Sequence, residues 1–284
     1  MYDKVSQLAK FTSADIVAKS YLRLANIAKV SAGEEDYKRN LALAYYYDPA
    51  TVTLEKAETV EDEKAADWAK ATEFSSAHFL SNGEQLVANG SNWDGLRALQ
   101  AARLLDPNDA TAIVVVGEAM EKVASNYDDY RRIHVLYRWA LQKDSNYAQA
   151  YIQLGLLETY QFNFDRGYTL LAQAASIEPD SAEPYLALGK HFYLRKDFRE
   201  SLKQIVQAEQ IDSHNADVKY YAGLLRRQLK DLGSPEAAMR LFYEAYQLNP
   251  DHYDALAEWL KLKTVYFEKA FAMKFIRHLI EQNP

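Results

Sequence analysis

The 284-residue chain contains no cysteine, which excludes disulfide bonds, zinc–cysteine sites and thiol nucleophiles. It has no run of 18 apolar residues, so no membrane-spanning helix is predicted. The first eleven residues, MYDKVSQLAKF, lack the apolar core of a signal peptide. These absences leave the compartment open, and the sequence as written fits a cytoplasmic protein. The alternative is a bacterial periplasmic or membrane-anchored protein whose signal or anchor has been removed, because cysteine-free chains are common in the bacterial envelope.

Motifs of catalysis and of cofactor binding are also missing. No two of the 6 histidines lie three or four residues apart, so no helical face presents a histidine pair to a metal ion. The chain has no GxSxG elbow, P-loop or GxGxxG motif. Gly90 and Gly95 are expected to flank a turn. We expect no catalytic residue, cofactor or metal; an enzyme of this sequence would need a site assembled from distant parts of the chain.

The charge of the chain argues against a nucleic-acid partner. Its formal net charge is −7 and no basic stripe occurs. The acidity is concentrated in residues 50–109, which carry a net charge of −6. Acidic runs of this kind are usually solvated helix surfaces.

Three markers recur along the chain with one period. The first is the central residue of a polar turn, spaced by 38, 34, 34 and 37 residues: Pro107, Ser145, Pro179, Ser213 and Pro250. An alanine lies five positions before each: Ala102, Ala140, Ala174, Ala208 and Ala245. Glycines are spaced by 34, 38, 34 and 34 residues: Gly83, Gly117, Gly155, Gly189 and Gly223. A glycine inside a helix costs about 1 kcal/mol relative to alanine, so the repeated glycines indicate close contact between two helices of each unit.

The repeats resemble the tetratricopeptide repeat (TPR) family. AYIQLG (150–155) and PYLALG (184–189) supply the aromatic residue and the Leu-Gly pair of that family's 34-residue pattern, and Ala174 and Pro179 supply later positions. Gly167 and Ser201 stand where the family prefers alanine. The resemblance implies an all-α, right-handed superhelical solenoid of antiparallel helix pairs, and binding instead of catalysis.

The markers divide the chain into four expected segments. Residues 1–50 form an N-terminal TPR-like unit and cap, and residues 51–75 form an inserted acidic helical segment. Residues 76–250 form five TPR-like repeats. Residues 251–284 form a C-terminal capping pair of helices, which has lost the markers because terminal repeats face water on one side.

The resemblance also implies a groove lined by the first helix of each unit. The residues expected to face it in the C-terminal half are Ile152, Leu156, Leu186, Lys190, Tyr193, Tyr220, Leu224, Arg227 and Trp259. The N-terminal half instead offers the acidic residues Glu84, Glu118 and Glu121. Lys190 and Arg227 would select a partner with an acidic group. The alternative is that both are ordinary solvated charges, and that some apolar residues of the set pack against a neighbouring helix or a second copy of the chain.

We expect a non-catalytic scaffold or adaptor that binds a peptide or protein segment with apolar anchors and an acidic group. A bacterial envelope, pilus or secretion assembly is a candidate setting. Two other functions are the alternatives: a peptide-sensing regulator, and an enzyme built on helical repeats. Self-association also stays open.

Overall fold

The structure is a computed structural model, which describes residues 34–47, 76–229 and 234–266, together with helical residues at 21, 22, 24, 25 and 28. Within these ranges the regular structure is entirely helical. The helices are α1 (Glu34–Tyr47), α2 (Ser76–Ala88), α3 (Asn92–Leu105), α4 (Ala110–Glu121), α5 (Tyr127–Lys143), α6 (Ala148–Tyr160), α7 (Phe164–Ile177), α8 (Ala182–Leu194), α9 (Phe198–Ile211), α10 (Ala216–Gln228), α11 (Pro235–Leu248) and α12 (Tyr253–Tyr266).

The helices pack in the order in which they follow one another along the chain. Within repeats, α2 contacts α3, α4 contacts α5, α8 contacts α9 and α10 contacts α11. Between repeats, α3 contacts α4, α7 contacts α8, α9 contacts α10 and α11 contacts α12. This stacking of consecutive helix pairs confirms the predicted helical-repeat fold.

The chain divides into two compact units, Met1–Ala150 and Tyr151–Pro284. The boundary lies near the start of α6, so the remaining residues of α6 and helices α7–α12 belong to the second unit. Each unit has its own apolar core: one cluster includes Tyr21, Tyr37, Leu43, Phe79 and Leu105, and another includes Ile205, Val218 and Leu225.

The marker glycines lie where the first helix of a pair touches the second. A Cβ atom added to Gly155 would lie 2.7 Å from Leu171 Cγ, and one added to Gly223 would lie 2.7 Å from Phe242 Cε1. Gly189 faces Ile205 in the same way. These separations are too short for a side chain, so the predicted reason for the glycines is confirmed.

Within a repeat, the fourth residue of the second helix faces the backbone of the first helix. A Cβ atom at Gly95 would lie 2.8 Å from the carbonyl oxygen of Gly83. Ser201 instead donates a hydrogen bond of 2.7 Å from Oγ to the carbonyl oxygen of Gly189. The expectation that Gly95 flanks a turn was wrong, because Gly95 is buried inside α3 as a contact residue.

Short polar side chains close the turns between repeats. Asp106, Asp144 and Asp212 each accept, through Oδ1, the backbone N–H two residues further on, at 2.9–3.1 Å. Asn249 does the same at 3.0 Å. The Asp and Asn residues thus form a local turn that ends one helix before the next begins, which explains why the turn phrase recurs.

The turn inside a repeat has a different geometry. Gly90, Phe162 and Lys196 have positive φ angles of 83°, 64° and 68°. Phe162 N–H donates to Thr159 O and the next N–H donates to Glu158 O, which is the Schellman arrangement that closes a helix C-terminus. Only glycine adopts this conformation without steric cost.

The two ends of the chain are described in part. Helix α1 covers most of the second helix expected for the N-terminal unit, and α12 is the first helix expected after Pro250. Residues 51–75 and 267–284 lie outside the described residues. The four-segment division therefore stays a prediction.

Candidate functional site

The candidate site consists of equivalent positions on successive first helices of the second unit. Its members are the fifth, ninth and twelfth residues of each helix. In α6, α8 and α10 these are Ile152, Leu156, Thr159, Leu186, Lys190, Tyr193, Tyr220, Leu224 and Arg227. We refer to this set as the first-helix row.

Several of the apolar residues predicted for the groove are buried inside the unit. Ile152 is 5% exposed, Leu186 8% and Leu224 6%. Leu224 belongs to a core cluster that also contains Phe242. The expectation that these side chains contact a partner is corrected: they pack against neighbouring helices, because a solenoid buries its core between adjacent repeats.

Trp259 also lies in that core and not in the row. It is the seventh residue of α12, 7% exposed, and its ring centroid lies 5.2 Å from that of Tyr243 on α11. The row positions of α12 are Ala257, Lys261 and Thr264, all exposed. The assignment of Trp259 was wrong by two positions, since α12 lacks the marker glycine that sets the register in the earlier helices.

The accessible part of the row is aromatic and positively charged. Leu156, Tyr193 and Tyr220 are half-buried. The Tyr193 ring lies 5.7 Å from that of Tyr221, and the Tyr220 ring lies 5.4 Å from it. Burial raises the pKa of Tyr220 to about 12, so its hydroxyl stays protonated at neutral pH and can donate a hydrogen bond.

Lys190 has a partner within the chain. Its Nζ lies 2.6 Å from Asp217 Oδ2 and above the ring of Tyr221. Asp217 Oδ1 lies 3.3 Å from His252 Nε2, an electrostatic contact without full hydrogen-bond geometry. The contact with His252, followed by the charge of Lys190, holds the pKa of Asp217 well below its usual range.

His252 is oriented by the start of α12. Its Nδ1 accepts the backbone N–H of Ala255 at 3.2 Å. The hydrogen of a neutral imidazole therefore resides on Nε2, the atom that faces Asp217. Its ring centroid lies 4.7 Å from that of Tyr220, so the charged contacts and the aromatic contacts form one connected group.

Arg227 is also paired within the chain. Its Nη1 contacts Glu258 Oε2, and Lys261 Nζ donates to Glu258 Oε1 at 2.8 Å. Two cations thus share one carboxylate. Neither Lys190 nor Arg227 is the simple solvated charge considered as an alternative.

The acidic residues predicted for the first unit differ in accessibility. Glu84 is exposed. Glu118 accepts a hydrogen bond from Gln149, and Glu121 accepts one of 2.7 Å from the hydroxyl of Tyr137. Burial raises the pKa of Glu121. These contacts make Glu121 a support for Tyr137, whose ring fills the space beside Gly117.

One buried histidine was not predicted from the sequence to take part in a hydrogen-bond network. His191 is fully buried, and its Nδ1 lies 2.8 Å from Thr159 Oγ1. Since Thr159 donates its own hydrogen to Gly155 O, its oxygen accepts the Nδ1 hydrogen of His191. Desolvation by burial, with the charge of Arg195 in second place, lowers the pKa of His191. A single histidine on a helix carries no sequence signal for such a network.

Two features are absent from the described part of the chain. No group of three or more histidine, cysteine, aspartate or glutamate side chains there is placed to hold a metal ion. No described helix is long and apolar enough to cross a membrane.

Stacked helix pairs, glycine contacts and a first-helix row together define a tetratricopeptide-repeat fold, and the chain is a helical-repeat protein of this architecture. No family model matches the chain. It is similar in structure to TTC0263, a TPR protein of Thermus thermophilus, with a TM-score of 0.59, 15% identity, and coverage of 67% of this chain and 100% of that one. Its similarity to PilF of Pseudomonas aeruginosa has a TM-score of 0.55 and 16% identity, and covers 78% and 95% of the two chains.

A structure of the Cut9–Hcn1 hetero-tetramer of APC/C matches over 99% of this chain, with a TM-score of 0.61 and 13% identity. The chain spans about half, 52%, of that longer one. Among curated proteins, the human protein O-mannosyl-transferase TMTC3 is 27% identical over 120 residues. That match covers 42% of this chain and only 13% of TMTC3.

Proposed function

We propose that the chain is a non-catalytic protein-interaction scaffold, which binds a peptide or a segment of another protein along the first-helix row of the second unit. The observation that carries this proposal is the composition of the accessible row. Leu156, Tyr193 and Tyr220 offer half-buried apolar and aromatic surface beside Arg227. Aromatic residues and arginine are the side chains that most often dominate the energy of protein interfaces.

The buried members of the row support this role. Ile152, Leu186 and Leu224 pack inside the unit, and ring contacts connect the accessible Tyr193 and Tyr220 through Tyr221. Aromatic side chains that are already held in place lose little conformational entropy when a partner binds. The row is therefore suited to recognition by a preformed surface.

An acidic group of the partner would bind at the Arg227 end. Lys190 is mostly enclosed and paired with Asp217, whereas Arg227 and Lys261 are more exposed and share Glu258. An arginine has five N–H donors, so Arg227 can contact a second carboxylate while it keeps Glu258. The proposal thus assigns the partner's acidic group to Arg227, whereas the sequence predicted that Lys190 and Arg227 would both select it.

The setting we propose is a multi-protein assembly. The similar fold in the Cut9–Hcn1 hetero-tetramer supports this proposal, because a helical-repeat chain is there part of a complex with another protein. A bacterial envelope, pilus or secretion assembly fits the cysteine-free composition.

Site-specific photo-crosslinking tests the proposed surface. A benzophenone amino acid at Leu156, the ninth residue of α6, is compared with one at Val206, the ninth residue of α9, which is 41% exposed on a second helix. In extract of the native cells, the Leu156 variant is expected to form a discrete crosslinked product that the Val206 variant does not form. Equal products, or none from Leu156, would contradict the assignment. A short peptide that raises the melting temperature, without any protein product, would favour a peptide-sensing regulator.

A further inference from the structure

The dipeptide Asn-Gly occurs twice in the chain, once inside helix α2 and once directly after it. The first copy is Asn82-Gly83 and the second is Asn89-Gly90. An asparagine followed by glycine is prone to lose its side-chain amide, because glycine has no Cβ to keep the next backbone nitrogen away from the asparagine side chain. The two copies thus present the same chemistry in two structural settings.

The first copy is enclosed between α2 and α3. Gly83 is buried, and a Cβ atom added there would lie 2.6 Å from Leu99 Cγ and 3.0 Å from the carbonyl oxygen of Gly95. Asn82 is half-buried in the middle of α2. Its side chain can reach the next backbone nitrogen only if Asn82 leaves the helical conformation. The helix must therefore open at its packed centre before this asparagine can react.

The second copy lies at the open end of the helix. Asn89 and Gly90 are exposed, and a Cβ atom added to Gly90 would meet no atom within 4 Å. The Gly90 N–H donates to Val87 O at 3.1 Å, and the Ser91 N–H donates to Leu86 O at 2.8 Å. These two bonds close the helix C-terminus. Because helix ends open more readily than packed helix centres, the Gly90 nitrogen is released from its bond at low cost.

We propose that Asn89 is a modification site, at which the folded chain undergoes spontaneous deamidation with water as the only co-reactant. The Gly90 nitrogen attacks the side-chain carbonyl carbon of Asn89 and gives up its proton to the amide group, which leaves as ammonia. Water then opens the resulting five-membered imide. Opening at the side-chain carbonyl gives aspartate, and opening at the backbone carbonyl gives isoaspartate, whose main chain runs through the former side chain. This site stands whether or not the first-helix row binds a partner.

Isoaspartate changes the turn that sets the packing of α2 on α3. Only residues 89–91 connect the two helices, and isoaspartate adds one carbon atom to this short connection. Val87 accepts the Gly90 N–H and also packs against Gly95 of α3, where an added Cβ atom would lie 2.5 Å from Val87 Cγ2. The new carboxylate lies at a helix C-terminus, where negative charge is unfavourable. The modification therefore loosens α2 against α3 as the molecule ages.

The test incubates the full chain in mildly alkaline buffer and digests it with pepsin in acid, where deamidation is slow. Mass spectrometry detects the exchange of an amide NH₂ for OH, and fragmentation of the peptides assigns it to one asparagine. Asn89 is expected to deamidate at least about tenfold faster than Asn82, because a helix end opens more readily than a packed helix centre. Incubation in urea is the matched control, since the unfolded chain exposes both copies and the two rates should become similar.

Two variants test the structural consequence, each compared with its own fresh sample. After incubation, amide hydrogen exchange in α2 should be faster in the parent chain and in Asn82→Gln, and unchanged in Asn89→Gln, because glutamine closes the corresponding six-membered ring far more slowly.

Four outcomes would overturn the proposal. They are no mass gain at Asn89 in the folded chain, equal rates for Asn82 and Asn89, a rate ratio that persists in urea, and an equal change of exchange in Asn89→Gln and the parent. Unchanged exchange in a deamidated parent would overturn the loosening of α2.

Discussion

Lys190 on α8 and Asp217 on α10 form a 2.6 Å ion pair that joins the first helices of two successive repeats. From the sequence, Lys190 was expected to bind a partner's acidic group, but the chain itself supplies the carboxylate. Lys190 therefore contributes to stability before any partner binds.

Reversal of this charge is the first prediction. Lys190→Glu places a carboxylate beside Asp217 in a partly enclosed site, and is expected to destabilise the chain by about 1–2 kcal/mol. The control is Lys203→Glu, because Lys203 is 71% exposed and 3.9 Å from Glu200; it should change stability by no more than about 0.5 kcal/mol. Urea unfolding measures both, and equal stability of the two variants would show that the Lys190 pair is energetically neutral.

The second prediction concerns the contact between helices at Gly189. Gly189→Leu forces a side chain into the space that Ile205 occupies, and the free energy of unfolding should fall by about 1–3 kcal/mol or more. Ala257→Leu, at an exposed position of α12, should change it little. A Gly189→Leu variant as stable as the parent would show that the helix contact at Gly189 does not require a small residue.

The third prediction is a loss of stability in mild acid. The pKa of His191 in the folded chain is lowered from 6.5 by burial, so the unfolded chain binds more protons as the pH falls through that value. The contribution of neutral His191 is then complete above pH 6.5 and is lost below it, with a slope of up to about 1.4 kcal/mol per pH unit. His191→Gln should flatten this part of the stability profile, measured by urea unfolding between pH 8 and pH 5. An unchanged slope would assign the pH dependence to other groups.

The fourth prediction concerns the strained turn at Phe162. Its φ of 64° and its 76% exposure leave a bulky residue in the left-handed region without burial to offset the strain. Phe162→Gly is expected to raise the free energy of unfolding by about 0.5–1 kcal/mol. Gln161→Gly, at the preceding exposed residue, should not raise it. A less stable Phe162→Gly variant would mean that the ring contact with Phe164 outweighs the strain.

The helical-repeat fold could be predicted from the sequence because its determinants are local and periodic. Gly155, Ala174 and Pro179 each mark one contact or one turn, and each recurs at the same place in other repeats. The site could be predicted only in part. Helical position identifies Tyr193 and Tyr220, but whether Leu224 is open or covered depends on Phe242 and Trp259, which come from later helices.

The ion pairs between repeats could not be predicted from the sequence either. Asp217 and Glu258 lie 27 and 31 residues after the cations that they bind. Many carboxylates occur at comparable separations, so no pattern distinguishes these two. The register of α12 was misread for a related reason, because Leu260 replaces the glycine that marks the earlier helices.

A comparison of affinities tests whether the accessible first-helix row of the second unit binds a protein segment. The protein captured by crosslinking at Leu156 is titrated against folded Tyr220→Ala, Leu224→Ala and Tyr127→Ala. Tyr220→Ala should weaken binding by more than about 1 kcal/mol. Leu224→Ala should lower stability by about 2–5 kcal/mol while its folded fraction keeps the parent affinity, and Tyr127→Ala, at a residue 73% exposed in the first unit, should change neither. Parent-like affinity of Tyr220→Ala would show that the first-helix row is not the binding surface.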